Sequence, residues 1–230
     1  MGLNYKNALA GAVITVVASM GAANAATLDV VYQGSTPWGS ENYYKSGVTI
    51  KRGGTTQNVL AGLFMLKDKV TNTPFQAFCI DVYHTLGNTP GKYETTGTSW
   101  FSTKATTAIQ KLYNTAYSAV DSALEAAGFQ LALWEIVTED SKNSYSLSSG
   151  WFKASANASI INQANSYLSG LTGAETAKYD LTFLKSTSKP KGQDLLTATP
   201  SAVPVPASVL LLAGGLAGLG GMARRKARKA

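Results

Sequence analysis

The chemistry that this sequence offers begins with its single cysteine, Cys79, and with a glutamine 51 residues further on, Gln130. Cys79 lies in a run from Phe75 to Tyr83 that is rich in aromatic and β-branched residues, which is typical of a β-strand. An unpaired thiol in an exported protein is exposed to oxidation unless it is buried or chemically occupied. Burial as a small apolar side chain is the simpler interpretation, and a covalent partner is the alternative.

Gln130 interrupts an otherwise apolar face of a predicted helix. By helical spacing it shares that face with Ala127, Trp134 and Val137. A buried carboxamide usually hydrogen-bonds to a neighbouring backbone group. The alternative is covalent, because a thiol held against the carboxamide can displace ammonia and leave an internal thioester.

Two motifs together resemble the paired signatures of the Cys-Gln thioester domain of bacterial surface proteins. They are Phe78-Cys79-Ile80-Asp81 and Gln130-Leu131-Ala132-Leu133-Trp134-Glu135. In that family a strand cysteine precedes a helical glutamine, whose motif reads approximately Thr-Gln-x-Ala-Ile-Trp. This sequence has Phe129 in place of the Thr and Leu133 in place of the Ile. The resemblance covers Phe75 to Asp140.

The resemblance implies a single covalent event rather than enzymatic turnover. An amine or hydroxyl on an unidentified surface target attacks the acyl carbon of a Cys79-Gln130 thioester, and the thiol is released. Phe78 and Trp134 are expected to keep water out, although each is also an ordinary core aromatic. Asp81 is expected to orient or deprotonate groups, or else to be a solvated acid at the end of the strand. The site needs no metal and no cofactor.

Other classes of protein find less support in the residues. A cysteine or serine hydrolase would need His84, the only histidine, yet Cys79 and His84 are an odd number of residues apart in one predicted strand and so point to opposite faces. One histidine and one cysteine exclude a zinc tetrahedron. The segment from Arg52 to Thr56 lacks the spacing of a phosphate-binding loop and predicts a hairpin turn. The main alternative function is a non-covalent structural or adhesion module of the surface or extracellular matrix, in which Cys79 stays a free thiol.

The elements that must position these residues follow the order strands, helices, strands. This order predicts an α+β fold, in which an antiparallel sheet or sandwich carries an inserted helical subdomain. The capping box at Ser122 and Glu125 opens the second helical region, which Gly128 is expected to divide. The predicted strands are 28–32, 59–66, 75–83, 179–183 and 195–197, and the predicted helices are 102–118, 122–138 and 160–171.

Both ends of the chain read as targeting signals. Residues 1–25 have the basic start, the apolar run and the Ala23-Asn24-Ala25 site of a signal peptide, so signal peptidase should leave Ala26 as the first residue. The thioester-type domain is predicted at 26–185, and residues 186–206 are predicted to be a spacer that ends in a proline motif. Residues 207–230 predict a short membrane-spanning helix with a basic tail.

The carboxyl-terminal order of proline motif, weak span and basic cluster resembles the PEP-CTERM sorting signals of Gram-negative bacteria, in their VPxPA form. The motif residues are Val203, Pro204, Val205, Pro206 and Ala207. The resemblance implies cleavage by a membrane exosortase, after a transient stay in the inner membrane, and release to the cell surface or the medium. A plain membrane anchor is the alternative.

Charge argues against a nucleic-acid partner. The chain has 20 Lys and Arg against 13 Asp and Glu. Six of the basic residues lie in the terminal signals, at Lys6 and from Arg224 onward, which leaves 14 basic residues against 13 acidic ones. A nearly neutral mature domain is therefore not expected to bind phosphates through a clustered basic face.

Overall fold

The computed structural model describes residues 26–32, 48–86, 91–96, 100–140, 142, 144–172 and 176–201. Its β-strands are β1 Thr27–Tyr32, β2 Thr49–Arg52, β3 Thr55–Asn58, β4 Phe64–Asp68, β5 Pro74–Cys79, β6 Gly91–Thr96, β7 Phe152–Ser155, β8 Tyr179–Ser186 and β9 Leu195–Pro200. Six of these strands form a closed antiparallel barrel in the order β1-β4-β5-β9-β8-β6. A separate three-stranded sheet has the strand order β3-β2-β7. The fold therefore combines helices with antiparallel sheets, as predicted, and the larger sheet closes into a barrel.

Within the described ranges three α-helices connect the strands, as the helical periodicity predicts. They are α1 Thr103–Ala116, α2 Ala123–Thr138 and α3 Ala158–Ser169. Serine side chains cap the first two helices: Ser102 Oγ accepts from the Ala105 N–H, and Ser122 Oγ accepts from the Glu125 N–H. The Glu125 carboxylate in turn accepts from the backbone N–H of Asp121 and from the Ser122 hydroxyl, which confirms an N-terminal cap at this point.

Helix α2 lies at the centre of the molecule. All of its residues from Ala126 to Val137 are buried, so it is apolar on every side apart from a few polar side chains that contact partners. The helix runs unbroken through Gly128, contrary to the prediction. A Cβ at Gly128 would lie 3.0 Å from the Gln163 side chain of α3, so the glycine allows two helices to pack closely.

The strand that carries Cys79 ends sooner than its sequence pattern predicts. Strand β5 stops at Cys79, whereas the pattern continues to Tyr83. The Asp81 carboxylate ends the strand because its Oδ1 accepts the backbone N–H groups of Tyr83 and His84 at 2.8 and 3.3 Å. The alternation of faces therefore does not hold beyond Cys79, and His84 is not confined to the opposite face from Cys79 as predicted.

The barrel extends beyond the domain boundary predicted at residue 185. Strand β9 pairs with β5 and with β8, and Leu195 lies opposite both Cys79 and Leu184. Residues 195–200 are thus a barrel strand rather than part of a spacer. The turn predicted at Arg52 to Thr56 is present, since β2 and β3 form a hairpin around Gly53 and Gly54, with Gly53 at a φ of 54°.

The signal peptide, the proline motif and the sorting segment fall outside the described residues. Among the residues that the structure describes, no helix combines the length and the apolar character needed to cross a bilayer.

Candidate functional site

Cys79 is held from the helical side by Gln130. The backbone N–H of Cys79 donates to Gln130 Oε1 at 2.9 Å, and Gln130 Nε2 donates to the backbone carbonyl of Cys79 at 2.7 Å. Gln130 has no exposed surface, and Cys79 is 1% exposed. The structure thus brings the two predicted residues together, but the carboxamide of Gln130 uses both of its ends on the backbone of Cys79.

The thiol of Cys79 contacts a different glutamine, Gln193, on the barrel side. Sγ donates to Gln193 Oε1 at 2.6 Å, and Gln193 Nε2 donates to the backbone carbonyl of Asp81 at 2.7 Å. Because a C=O bond measures about 1.2 Å, the Cδ atom of Gln193 lies within about 3.8 Å of the sulfur. Both ends of this carboxamide are fixed, with its carbonyl group against the thiol.

The segment before β9 holds Gln193 in place. The Tyr93 hydroxyl of β6 donates to the Gln193 backbone carbonyl at 3.0 Å, and the Ile80 N–H donates to the Asp194 carbonyl at 3.0 Å. The Asp194 carboxylate accepts from the Ser186 N–H at 2.8 Å. Gln193 is 7% exposed and is therefore a buried, hydrogen-bonded group, not a flexible surface residue.

Burial keeps the thiol protonated. It raises the pKa of Cys79 well above the ordinary value, and the negative charge of Asp81 adds to the effect. A protonated thiol is the species that donates to Gln193 Oε1. Such a thiol is a poor free nucleophile, so any reaction at this site depends on a partner held in contact.

Asp81 and His84 form a second polar group beside the first. Asp81 Oδ2 lies 2.6 Å from His84 Nδ1 and 3.5 Å from Lys191 Nζ. Lys191 also contacts Asp194 Oδ2 at 3.0 Å. Asp81 therefore contacts two residues of the site. Its backbone carbonyl accepts from Gln193, and its carboxylate contacts His84.

A cavity of about 310 Å³ reaches this site. Its lining includes the buried side chains of Gln193 and Trp134, together with the partly exposed His84 and Leu60. Trp134 is 2% exposed, and its Nε1 has no hydrogen-bond partner among the described residues. The cavity lining thus includes both solvent-exposed residues and the buried glutamine that the thiol contacts.

The predicted supporting residues have different positions. Trp134 lines the cavity and Asp81 contacts Gln193, but Phe78 packs away from the cavity against Phe129 and Tyr117, with ring centroids 4.5 and 6.4 Å apart. Phe78 belongs to the aromatic core between β5 and the helices. Among the residues in the described ranges, no group of three or more His, Cys, Asp or Glu side chains could hold a metal ion.

Neither Gln193 nor His84 was predicted from the sequence as a residue of the site. A signal for Gln193 was present, because it lies two residues before the strand predicted at 195–197 that closes the sheet. Pairing of that strand with β5 brings Gln193 level with Cys79, across a separation of 114 residues.

Comparison with known proteins gives distant likenesses in structure alone. No protein-family model matches the sequence, and no curated protein matches it. The N-terminal domain of the Streptococcus pyogenes pilus tip adhesin Cpa is similar with a TM-score of 0.42 and 12% identity, over 73% of this chain and 100% of that one. The N-terminal thioester domain of a surface protein from Clostridium perfringens is similar with a TM-score of 0.39 and 14% identity, over 68% of this chain and 100% of that one.

Proposed function

We propose that this protein is an exported, adhesin-like surface protein that attaches covalently to its target through an internal thioester between Cys79 and Gln193. The observation that carries the proposal is the contact of the Cys79 thiol with the Gln193 carboxamide at 2.6 Å in a buried site. A buried glutamine fixed at both ends beside a lone buried thiol has the arrangement that acyl transfer to sulfur requires.

Formation of the thioester is a balanced exchange. The Cys79 sulfur bonds to Gln193 Cδ, the bond from Cδ to Nε2 breaks, and the thiol proton passes to the departing nitrogen, which leaves as ammonia. The Asp81 carbonyl, which accepts from Nε2 at 2.7 Å, keeps that nitrogen turned away from the sulfur. The carbonyl oxygen of Gln193 faces the thiol, so little movement separates the hydrogen-bonded pair from the bonded one.

Gln130 has a supporting role in this proposal. The sequence motif assigned the acyl group to Gln130, and its two hydrogen bonds hold the backbone of Cys79 at 2.9 and 2.7 Å. These bonds orient the cysteine so that its side chain points to Gln193. Gln130 remains the other candidate for the acyl group, and peptide mapping distinguishes the two glutamines.

Each thioester reacts with a target only once. An amine on the target bonds to Gln193 Cδ, the bond from Cδ to sulfur breaks, and an amide and a free thiol result. The new amide nitrogen takes the place of Nε2 and keeps an N–H for the Asp81 carbonyl, whereas an ester formed from a hydroxyl leaves that buried carbonyl without a donor. The site therefore favours amines over hydroxyls. The event is an attachment, not enzymatic turnover.

Processing at the two termini completes the proposal. Signal peptidase removes residues 1–25, and an exosortase-type transpeptidase cleaves near the motif Val203 to Ala207 while the segment 207–230 lies in the inner membrane. The mature protein reaches the surface or the medium of a Gram-negative cell. It binds no nucleic acid, because its mature domain is nearly neutral.

A non-covalent surface module is the second candidate. The observation that favours it is that the hydrogen bond from Sγ to Gln193 Oε1 already satisfies the thiol, as in an inert buried cysteine. In that protein Cys79 would stay free and Gln193 would keep its amide.

Labelling with methylamine followed by tryptic mapping tests the proposal. Gln193 follows the cleavage site at Lys191, and Gln130 lies between Lys111 and Lys142, so the two glutamines fall in different peptides. We expect one methylamine on Gln193 and an alkylatable Cys79 after labelling. Methylamine on Gln130 would assign the acyl group to the helix, and no uptake with a thiol that is free throughout would favour the non-covalent module.

A further inference from the structure

We propose that His84 is the general base for the nucleophile that opens the thioester, and that the cavity which His84 shares with Gln193 is the path by which this nucleophile arrives. The inference rests on the proposed thioester and adds a catalytic residue to it. It starts from the turn that ends β5, which brings the histidine back towards the site.

The turn fixes the position of the imidazole. Asp81 Oδ1 accepts the backbone N–H groups of Tyr83 and His84, and Asp81 Oδ2 lies 2.6 Å from His84 Nδ1. A carboxylate at Nδ1 selects the tautomer that carries its proton there, so the lone pair of the neutral ring lies on Nε2. Within the described part of the chain, Nε2 has no hydrogen-bond partner. The ring thus offers a proton acceptor held in a fixed direction.

The proposed acceptor and the reacting residue line one cavity. His84 and Gln193 line the same space of about 310 Å³, with Trp134 and Leu86 among the apolar walls. A volume near 300 Å³ is at the small end for ligand pockets and suits one side chain of a target rather than a large ligand. His84 is partly exposed and Gln193 is buried, so the cavity lining includes both a solvent-accessible imidazole and the buried acyl residue.

The reaction needs both a proton acceptor and a proton donor. A neutral amine bonds to Gln193 Cδ, and one of its protons passes to His84 Nε2. The bond from Cδ to sulfur breaks, and its electron pair goes to the sulfur of Cys79. Since burial raises the pKa of Cys79, this sulfur leaves readily only when it receives a proton, which the His84 imidazolium supplies. The products are an amide, a thiol and a neutral histidine.

Charged groups surround the imidazole on several elements. Asp81 contacts it directly, while Lys191 and Asp194 of the segment before β9 line a second cavity with it. Arg52 of β2 lies close by, because its Nη1 donates to the Val82 carbonyl at 2.5 Å. Two acids and two bases, from three elements of the fold, therefore surround the imidazole.

The test compares rate constants for methylamine uptake by the mature protein. We expect His84→Gln to keep the ammonia deficit of the thioester and to take up methylamine about 10²-fold more slowly, or slower still. The matched control is Tyr83→Phe, which removes one hydroxyl from a side chain that is 67% exposed and adjoins His84 in sequence. It should react at the wild-type rate.

Chemical rescue separates catalysis from structure. In His84→Ala, free imidazole should enter the space of the missing ring and restore much of the methylamine uptake, while it should change Tyr83→Phe little. If His84 only supported the local structure, free imidazole would not restore the rate. Lack of rescue in a folded His84→Ala variant that retains the thioester would therefore overturn the role of His84.

The outcomes distinguish this inference from the proposed function. Wild-type uptake by His84→Gln with its ammonia deficit intact would overturn the role of His84 alone. No deficit in the wild-type protein would overturn both proposals. Should the His84 variants fail to fold, the wild-type profile decides. The wild-type rate constant for methylamine uptake, divided by the concentration of unprotonated amine, should fall as the pH drops from about 8 to about 5, where imidazoles become protonated. A flat profile would overturn the inference.

Discussion

Cys79 has two sides that differ in what they do. On the helical side, defined by α2 with Gln130, the backbone of Cys79 is clamped in a fully buried contact. On the barrel side, defined by Gln193 and the Asp81 turn, the thiol meets a carboxamide that also lines a cavity. The same residue type, glutamine, holds the Cys79 backbone on one side and, in the proposed thioester, is the acyl donor on the other. The two glutamines contact different atoms of Cys79, because Gln130 contacts its backbone and Gln193 contacts its thiol. They also differ in access from solvent, since Gln193 lines a cavity.

The largest effect is expected from Gln193→Ala. Removing the carboxamide removes the acyl donor, so methylamine uptake and the ammonia deficit should both disappear. The variant should fold, since β9 keeps its backbone pairing with β5 and β8. Intact mass and thiol alkylation measure the change. Persistence of the ammonia deficit in Gln193→Ala would show that Gln193 is not the acyl donor.

Gln130→Ala should lower the free energy of unfolding. The buried N–H and carbonyl groups of Cys79 both lose their partner, and each unsatisfied group costs about 1–3 kcal/mol. Urea unfolding of Gln193→Ala with and without Gln130→Ala provides the measurement, because neither protein can contain the Cys79-Gln193 cross-link. Equal free energies of unfolding in these two proteins would show that Gln130 does not hold Cys79 in place.

On the helical side, Glu135 makes the stability of the fold depend on pH. Burial raises the pKa of Glu135 to about 7, with a smaller contribution from the negative charge of Glu139. An acid whose pKa is raised by folding binds its proton more tightly in the folded state, so stability falls as the pH rises from about 4.5 to about 7.

Glu135→Gln should remove this loss of stability. The variant keeps an oxygen that accepts the Ser146 N–H, which lies 2.8 Å from Glu135 Oε1. Relative to Glu135→Gln, the wild-type protein should lose on the order of 1–3 kcal/mol between these pH values. Unfolding curves at several pH values check this, and parallel curves for the two proteins would contradict it.

The smallest effect is expected at Gly128 of α2. A Cβ in Gly128→Ala would meet Gln163 at 3.0 Å and the Ala164 backbone nitrogen at 3.2 Å, so overpacking should cost about 1–2 kcal/mol despite the gain in helix propensity. Gly54→Ala is the matched control, because nothing lies within 4 Å of its added Cβ. Thermal unfolding should separate the two variants, and a stabilised Gly128→Ala would show that α3 can move away.

The sequence was informative where contacts are local. The period of the apolar residues predicts α1, α2 and α3, and the serine caps mark the first two helix starts. The Gln130 motif also predicts a glutamine at Cys79. These signals arise from residues a few positions apart, or from a motif pair whose order is recognisable.

The parts that could not be predicted depend on distant pairing and on one side chain. Barrel closure places Gln193 at Cys79 through the pairing of β9 with β5, across 114 residues. The local pattern predicts the strand at 195–197 but does not indicate which strand it pairs with. The end of β5 follows from hydrogen bonds of the Asp81 carboxylate, which override the strand pattern that continues to Tyr83. His84 was rejected for the same reason, since face alternation was assumed to continue.

The presence of a thioester can be read from the intact mass of freshly purified mature protein, measured before and after treatment with methylamine. We expect a mass one ammonia below that of the sequence, a thiol that resists alkylation in the folded protein, and uptake of one methylamine with release of that thiol. A hydrolysed sample would show glutamate at position 193 and is recognised by peptide mapping. The full sequence mass, with an intact Gln193 amide and a free Cys79 thiol in the folded protein, would show that no thioester forms.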